Sequence, residues 1–104
     1  MLDTDELIAR MEARGPSLRS LGYRVLFELE EGEAVLLDAT GGGAEVRRAA
    51  AGEAADTVLR LSRADLEKLI AGRISPMLAF STGRLKVEGS KGVAMKLASL
   101  LDED

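Results

Sequence analysis

No cysteine, histidine or tryptophan occurs in the 104 residues, and Tyr23, Phe27 and Phe80 are the only aromatics. Each absence closes off some chemistry. Without cysteine there are no disulfides, thiolate metal sites or sulfur nucleophiles, which suits a reducing compartment. Without histidine the commonest general base and metal ligand is gone, leaving carboxylates and lysines for any proton transfer. Three scattered aromatics make no platform on which nucleic-acid bases could stack. Basic residues are in the minority, 14 against 18 acidic ones for a net charge of -4, so no global positive field recruits phosphate backbones and nucleic acid is not an expected partner. Long apolar runs are missing too: nothing approaches the ~20 residues of a membrane span. The start, Met1-Leu2-Asp3-Thr4-Asp5-Glu6, is acidic where a secretory signal would be basic. The expectation is one cytoplasmic domain spanning 1–104. With 46% hydrophobic and 31% charged residues, the chain has the composition of a folding domain and not of a disordered one.

The apolar periodicity then divides the chain. Asp3 with Glu6 three positions on reads as a capping box, and Leu7, Ile8 and Met11 form one face of a helix that Gly15-Pro16 ends. From Tyr23 the period becomes two, with Tyr23, Val25, Phe27 and Leu29 on one face of a strand. Glu31-Gly32 supplies a tight turn into a second strand, Ala34 to Ala39, apolar on both faces and hence central in the sheet. Thr40-Gly41-Gly42-Gly43 turns into a more polar strand, Ala44 to Arg48, suited to an edge. Residues 49 to 55 are a connector of Ala, Gly and Glu, and 56 to 61 alternates as a fourth strand. Ser62 caps a helix carrying Leu66, Leu69 and Ile70, and Ser75-Pro76 opens another. Arg84 to Glu88 is a fifth strand, and Val93, Leu97, Leu100 and Leu101 recur at helical spacing behind Gly89-Ser90. This order does not alternate as a doubly wound parallel sheet does. It predicts an α+β fold: a five-stranded, antiparallel-rich sheet covered on one face by helices.

Few motifs carry chemistry. Gly41-Gly42-Gly43 lacks the Lys-Ser/Thr and helix entry of a phosphate loop and reads as a turn. The acidic groups Glu28-Glu30-Glu31-Glu33 and Asp102-Glu103-Asp104 lack the fixed spacing of a cation loop. Glu28 and Asp38 could form a carboxylate pair, but no spacing selects them, and no catalytic, cofactor or metal site is expected. Arg84, Lys86, Lys91 and Lys96 gather four positive charges on an acidic chain, as solvated faces or as a docking patch for anionic headgroups, a membrane surface or a coenzyme phosphate. Met77 and Met95 are pliable thioethers of a kind that suit either a core or a cavity for a variable aliphatic guest.

Read continuously, the helix ending at Gly72, the Pro76 helix with Ala79-Phe80-x-x-Gly83, the strand Leu85-Lys86-Val87-x-Gly89 and the helix Ala94-Met95-Lys96-Leu97 resemble the type-two sterol carrier protein family. The resemblance is strong after residue 56 and weaker through the Tyr23-to-Ala39 hairpin. It implies an apolar cavity between sheet and helices that holds fatty acids, acyl-CoA, sterols or other apolar lipids without catalysis, either as a free carrier or as a module presenting substrate to an enzyme, for example one acting on isoprenoid quinone precursors. Met77, Ala79 and Phe80 match the helix bordering the tunnel, Leu85 and Val87 the adjoining strand, and Ala94, Met95 and Leu97 the helix near its mouth. A tryptophan common in the second strand of the family is replaced here by Ala34-Val35-Leu36, and no peroxisomal address ends the chain.

The candidate ligand contacts are Phe27, Leu37, Leu59 and Leu85 from strands and Leu69, Ile70, Met77, Leu78 and Phe80 from the middle helices. Met95, Leu97 and Leu100 complete the set from the last helix, with about half of all these expected to line the cavity and the rest to be core. Burying about a dozen methylenes yields about 10 kcal/mol at ~0.8 kcal/mol each. Against this stand association costs of roughly 4–15 kcal/mol, which leaves micromolar affinity within reach without any headgroup contact.

Overall fold

The computed structural model describes residues 3–102. Helix α1 (Thr4–Ala13) begins with the Asp3 capping box: the Asp3 carboxylate accepts from the Glu6 amide at 2.8 Å while Glu6 reaches back to the Asp3 amide. Leu7 and Met11 bury its inner face. Gly15-Pro16 does end this helix, but it also starts another, α2 (Gly15–Leu18), followed by a 3₁₀ turn at Arg19–Leu21. Proline's fixed φ favours a first helical turn as much as it opposes an interior one, and Leu18 and Leu21 anchor this segment in the core with no exposed surface.

The strands are β1 (Arg24–Leu29), β2 (Ala34–Asp38), β3 (Glu45–Ala49), β4 (Thr57–Leu61) and β5 (Lys86–Gly89). They form one sheet in the order β3-β2-β1-β4-β5. Consecutive neighbours β1·β2 and β2·β3 pair antiparallel, as does β4·β5, whereas β1 and β4 run parallel. The parallel pairing requires the connector after β3 to cross the sheet. Residues 50–56 do so on its outer face, where Ala55 packs against the small cluster of Leu26, Ala34 and Leu36. The Gly52 amide there donates to Glu28 at 3.0 Å. This covering explains why β2 is apolar on both sides.

On the inner face lie α3 (Arg63–Ile70), α4 (Pro76–Ser81) and α5 (Lys91–Asp102). A serine precedes each: Ser62, Ser75 and Ser90 accept from the amides of Asp65, Leu78 and Val93 at 3.0, 3.0 and 3.2 Å, satisfying donors that the first turn leaves free. Gly89 sets the sharp entry into α5. Its φ is +86°, and a Cβ there would stand 2.9 Å from the Asp56 carbonyl oxygen. One side chain ties the far ends of two of these helices together: Arg14 donates to the Ile70 carbonyl at 2.6 Å and the Leu101 carbonyl at 3.0 Å.

Candidate functional site

The inner face of the sheet is not covered evenly. Helix α1 packs over β3 and closes the β2–β3 side, so Leu37, paired in register with Val25 and Val46, is fully buried core. On the other side Phe27, Leu59 and Val87 face one another across β1, β4 and β5 in consecutive register. These three side chains form a floor that the helices above do not touch everywhere. The space left between them is an apolar cavity of about 140 Å³, open on one side.

Leu69 of α3 and Pro76, Met77 and Phe80 of α4 form part of its wall, with Leu85 at the head of β5. Helix α5 contributes Lys91, Ala94, Met95, Ala98 and Leu101, with Leu97 beside them. The first five sit at i, i+3, i+4, i+7 and i+10, which is one stripe of the helix. The alanines at 94 and 98 are what leave the room. At the mouth Met77, Phe80 and Met95 are 56%, 48% and 63% exposed, so water meets hydrocarbon at the rim.

The structure therefore brings eight of the twelve candidate ligand contacts to one cavity: Phe27, Leu59, Leu69 and Leu85, then Met77, Phe80, Met95 and Leu97. The other four lie elsewhere. Leu37 is fully buried core in β2, and Ile70 is buried core at the end of α3. Leu78, about 100° round α4 from Met77, points to solvent at 54% exposure, and Leu100 is half-buried against the core. Ala79, which the resemblance set beside the tunnel, is fully buried in the core behind α4. Pro76, Ala98 and Leu101 were not foreseen. Small residues at helical spacing were the available signal for Ala98, since they are where a helix stands off its neighbour.

The four candidate docking cations do not form one patch. Lys86 alternates with the cavity-facing Val87 and so projects from the outer face of the sheet. Lys91 and Lys96, five residues apart, lie roughly 140° apart around α5. Lys91 borders the cavity, while the Lys96 ammonium stands 5.6 Å from the centre of the exposed Tyr23 ring, within cation–π range. Arg84 is exposed just ahead of β5. None of the four has a carboxylate partner among the described residues.

The acidic groups lie away from the cavity and are engaged. Arg60 hydrogen-bonds Glu28 at 2.9 Å and also pairs with Glu88. Glu33 accepts from the Thr4 hydroxyl, Arg48 and Arg63. The Arg60 hydrogen bond and the Gly52 amide hold Glu28 below the ordinary carboxylate value, and the Thr40 hydroxyl and amide do the same for Asp38. That direction is opposite to the tuning a general base needs at neutral pH. No three acidic side chains converge to hold a metal ion among the described residues. Asp102-Glu103-Asp104 lies outside the described side chains, and no described helix is long and apolar enough to cross a membrane.

A five-stranded sheet with helices on one face and an apolar hollow between the layers is the architecture of a lipid-carrier domain. Its relatives agree. The chain belongs to the SCP-2 sterol transfer family, whose sequence profile matches residues 4–102. Human hydroxysteroid dehydrogenase-like protein 2 is 34% identical over 80 residues, 75% of this chain and 19% of that protein. The chain thus spans about a fifth of the length of these curated relatives. Palmitated SCP2L2 from Aedes aegypti superposes with a TM-score of 0.74 at 16% identity, covering 98% of this chain and 96% of that one. The ubiquinone synthesis protein UbiJ-SCP2 does so with 0.64 at 20% identity, covering 98% and 93%.

Proposed function

We propose that residues 1–104 act as one non-catalytic carrier domain that holds a single hydrocarbon tail, as fatty acid, acyl-CoA or a related apolar lipid, in the cavity between β1–β4–β5 and α4–α5. The eight cavity residues predicted from sequence are its tail contacts, joined by Val87, Ala94, Ala98 and Leu101. The observation that carries this reading is an apolar hollow whose rim of Met77, Phe80 and Met95 stays in water. Leaving such a rim exposed gives up burial free energy that a guest would recover.

At about 140 Å³ the hollow is smaller than the roughly 300–1,000 Å³ of pockets that take drug-sized ligands. A whole tail therefore enters by widening it. Helix α4 is the element suited to move, being six residues long with flexible thioether and aromatic side chains at the contact. Burial is non-directional, so the carrier discriminates weakly among tails. The test is titration of the intact protein with a fluorescent fatty acid, paired with thermal melting at rising concentrations of dodecanoate. Saturable binding and a melting temperature that climbs with ligand are expected; absence of both overturns the reading.

A second reading, as a substrate-presenting module for an enzyme acting on apolar substrates such as isoprenoid quinone precursors, is favoured by two observations. The human relative carries the matching segment as about a fifth of a dehydrogenase-like chain, and the fold neighbour UbiJ-SCP2 is named for ubiquinone synthesis. Co-purification with such an enzyme from native cells supports it, and recovery of a clean monomer counts against it. In either role, transient docking on anionic membrane through Arg84, Lys91 and Lys96, in the cytoplasm, suits cations that have no carboxylate partner among the described residues.

A further inference from the structure

Of fourteen residues lining the cavity, thirteen are apolar and one, Lys91, is charged. It is exposed, and no described carboxylate pairs with it. Among the described residues no hydroxyl, amide or carboxylate side chain reaches the lining. A neutral lipid with a polar terminus, such as a sterol or a long-chain alcohol, would bury its hydroxyl there without a side-chain partner, at a cost. An anion would instead meet one unneutralised ammonium at the edge of a low-dielectric space, where attraction is stronger than in bulk water. The placement on α5 is specific. Lys91 heads the same stripe as Ala94, Met95, Ala98 and Leu101, so its charge stands in line with the tail channel, while Lys86 and Lys96 point elsewhere.

We infer that Lys91 selects the headgroup: the cavity takes single-chain amphiphiles with an anionic head and discriminates against neutral ones of equal chain length. This rests on the carrier reading and adds to it a specificity residue. The anion is a carboxylate or a phosphate, and these two sources are separable.

The experiment measures the affinity of the intact protein for dodecanoate, 1-dodecanol and dodecanoyl-CoA at pH 8, where the carboxylate is ionised, in wild type, Lys91→Met and Lys91→Arg. Wild type should prefer dodecanoate to dodecanol about fivefold, and added salt should shrink that preference. Lys91→Met should abolish it through a loss of anion affinity, with the melting temperature unchanged, and Lys91→Arg should restore it. Loss confined to dodecanoate assigns a carboxylate to Lys91, and loss confined to dodecanoyl-CoA assigns a phosphate; both support the inference. No advantage of either anion over the alcohol in wild type, or an advantage that survives undiminished in Lys91→Met for both dodecanoate and dodecanoyl-CoA, overturns it and leaves the carrier intact. Failure of wild type to bind any of the three overturns carrier and selection together.

Discussion

At the β2–β3 side of the sheet, Arg24, Arg47, Arg48 and Arg63 each meet a carboxylate, and Leu7, Met11, Leu18 and Leu21 are fully buried beneath the first helices. At the β5 side the described cations Arg84, Lys91 and Lys96 meet none, and Met77, Phe80 and Met95 stand half in water. One sheet thus has a closed half, covered by the first helices, and an open half whose apolar rim stays in water. The first is where stability resides; the second is where apolar surface remains unburied.

The contrast breaks most visibly in a pair of truncations. Leu21→Ala, at a site with no exposed surface, should cost about 2–5 kcal/mol in denaturant unfolding. Met95→Ala, at the rim, should cost under about 1 kcal/mol. Similar losses at both sites would dissolve the distinction. Next in size, Ala98→Leu should fill the hollow and weaken fatty-acid binding by about tenfold or more, a change of at least ~1.4 kcal/mol, with the melting temperature held or raised; unchanged binding would move the tail site elsewhere.

Acid should act through the paired carboxylates and not through the cavity. Hydrogen bonds from arginines and hydroxyls hold Glu28 and Glu33 below their ordinary value of 4.5 in the folded protein. The stabilisation is therefore complete above that value and is lost as pH falls through it toward the depressed folded values. The melting temperature should be level down to about pH 5 and then decline, less steeply in Glu33→Gln; a decline beginning near neutrality would implicate other groups. The smallest effect belongs to Lys96→Glu, which should leave unfolding within ~0.5 kcal/mol. It should slow transfer to anionic vesicles about fivefold, at ~1 kcal/mol per cation near such a surface; an unchanged rate would remove Lys96 from docking.

What could be read from the sequence follows the range of the interaction. The β1–β2 hairpin, the Asp3 box and the serine-capped helices depend on residues within a few positions of one another, and the chain states them openly. The α2 segment was hidden because Pro16 signals a stop as readily as a start. The parallel β1·β4 pairing joins Val25 to Thr57, and no local pattern declares which strand ends beside which. For the site, large apolar residues such as Phe27 and Phe80 drew attention, while Ala98 did not, because an empty volume is written in side chains that are missing. Leu37 misled for the complementary reason: its own residue type says nothing of the packing over it.

Arg14 gives the hollow a direction. By holding the carbonyls of Ile70 and Leu101 it pins α3 and α5 together at their C-terminal ends, whereas no hydrogen bond among the described residues ties α4 to either of them. On the carrier reading, a guest that swells the hollow displaces α4 against the joined α3–α5 base, and longer tails displace it further.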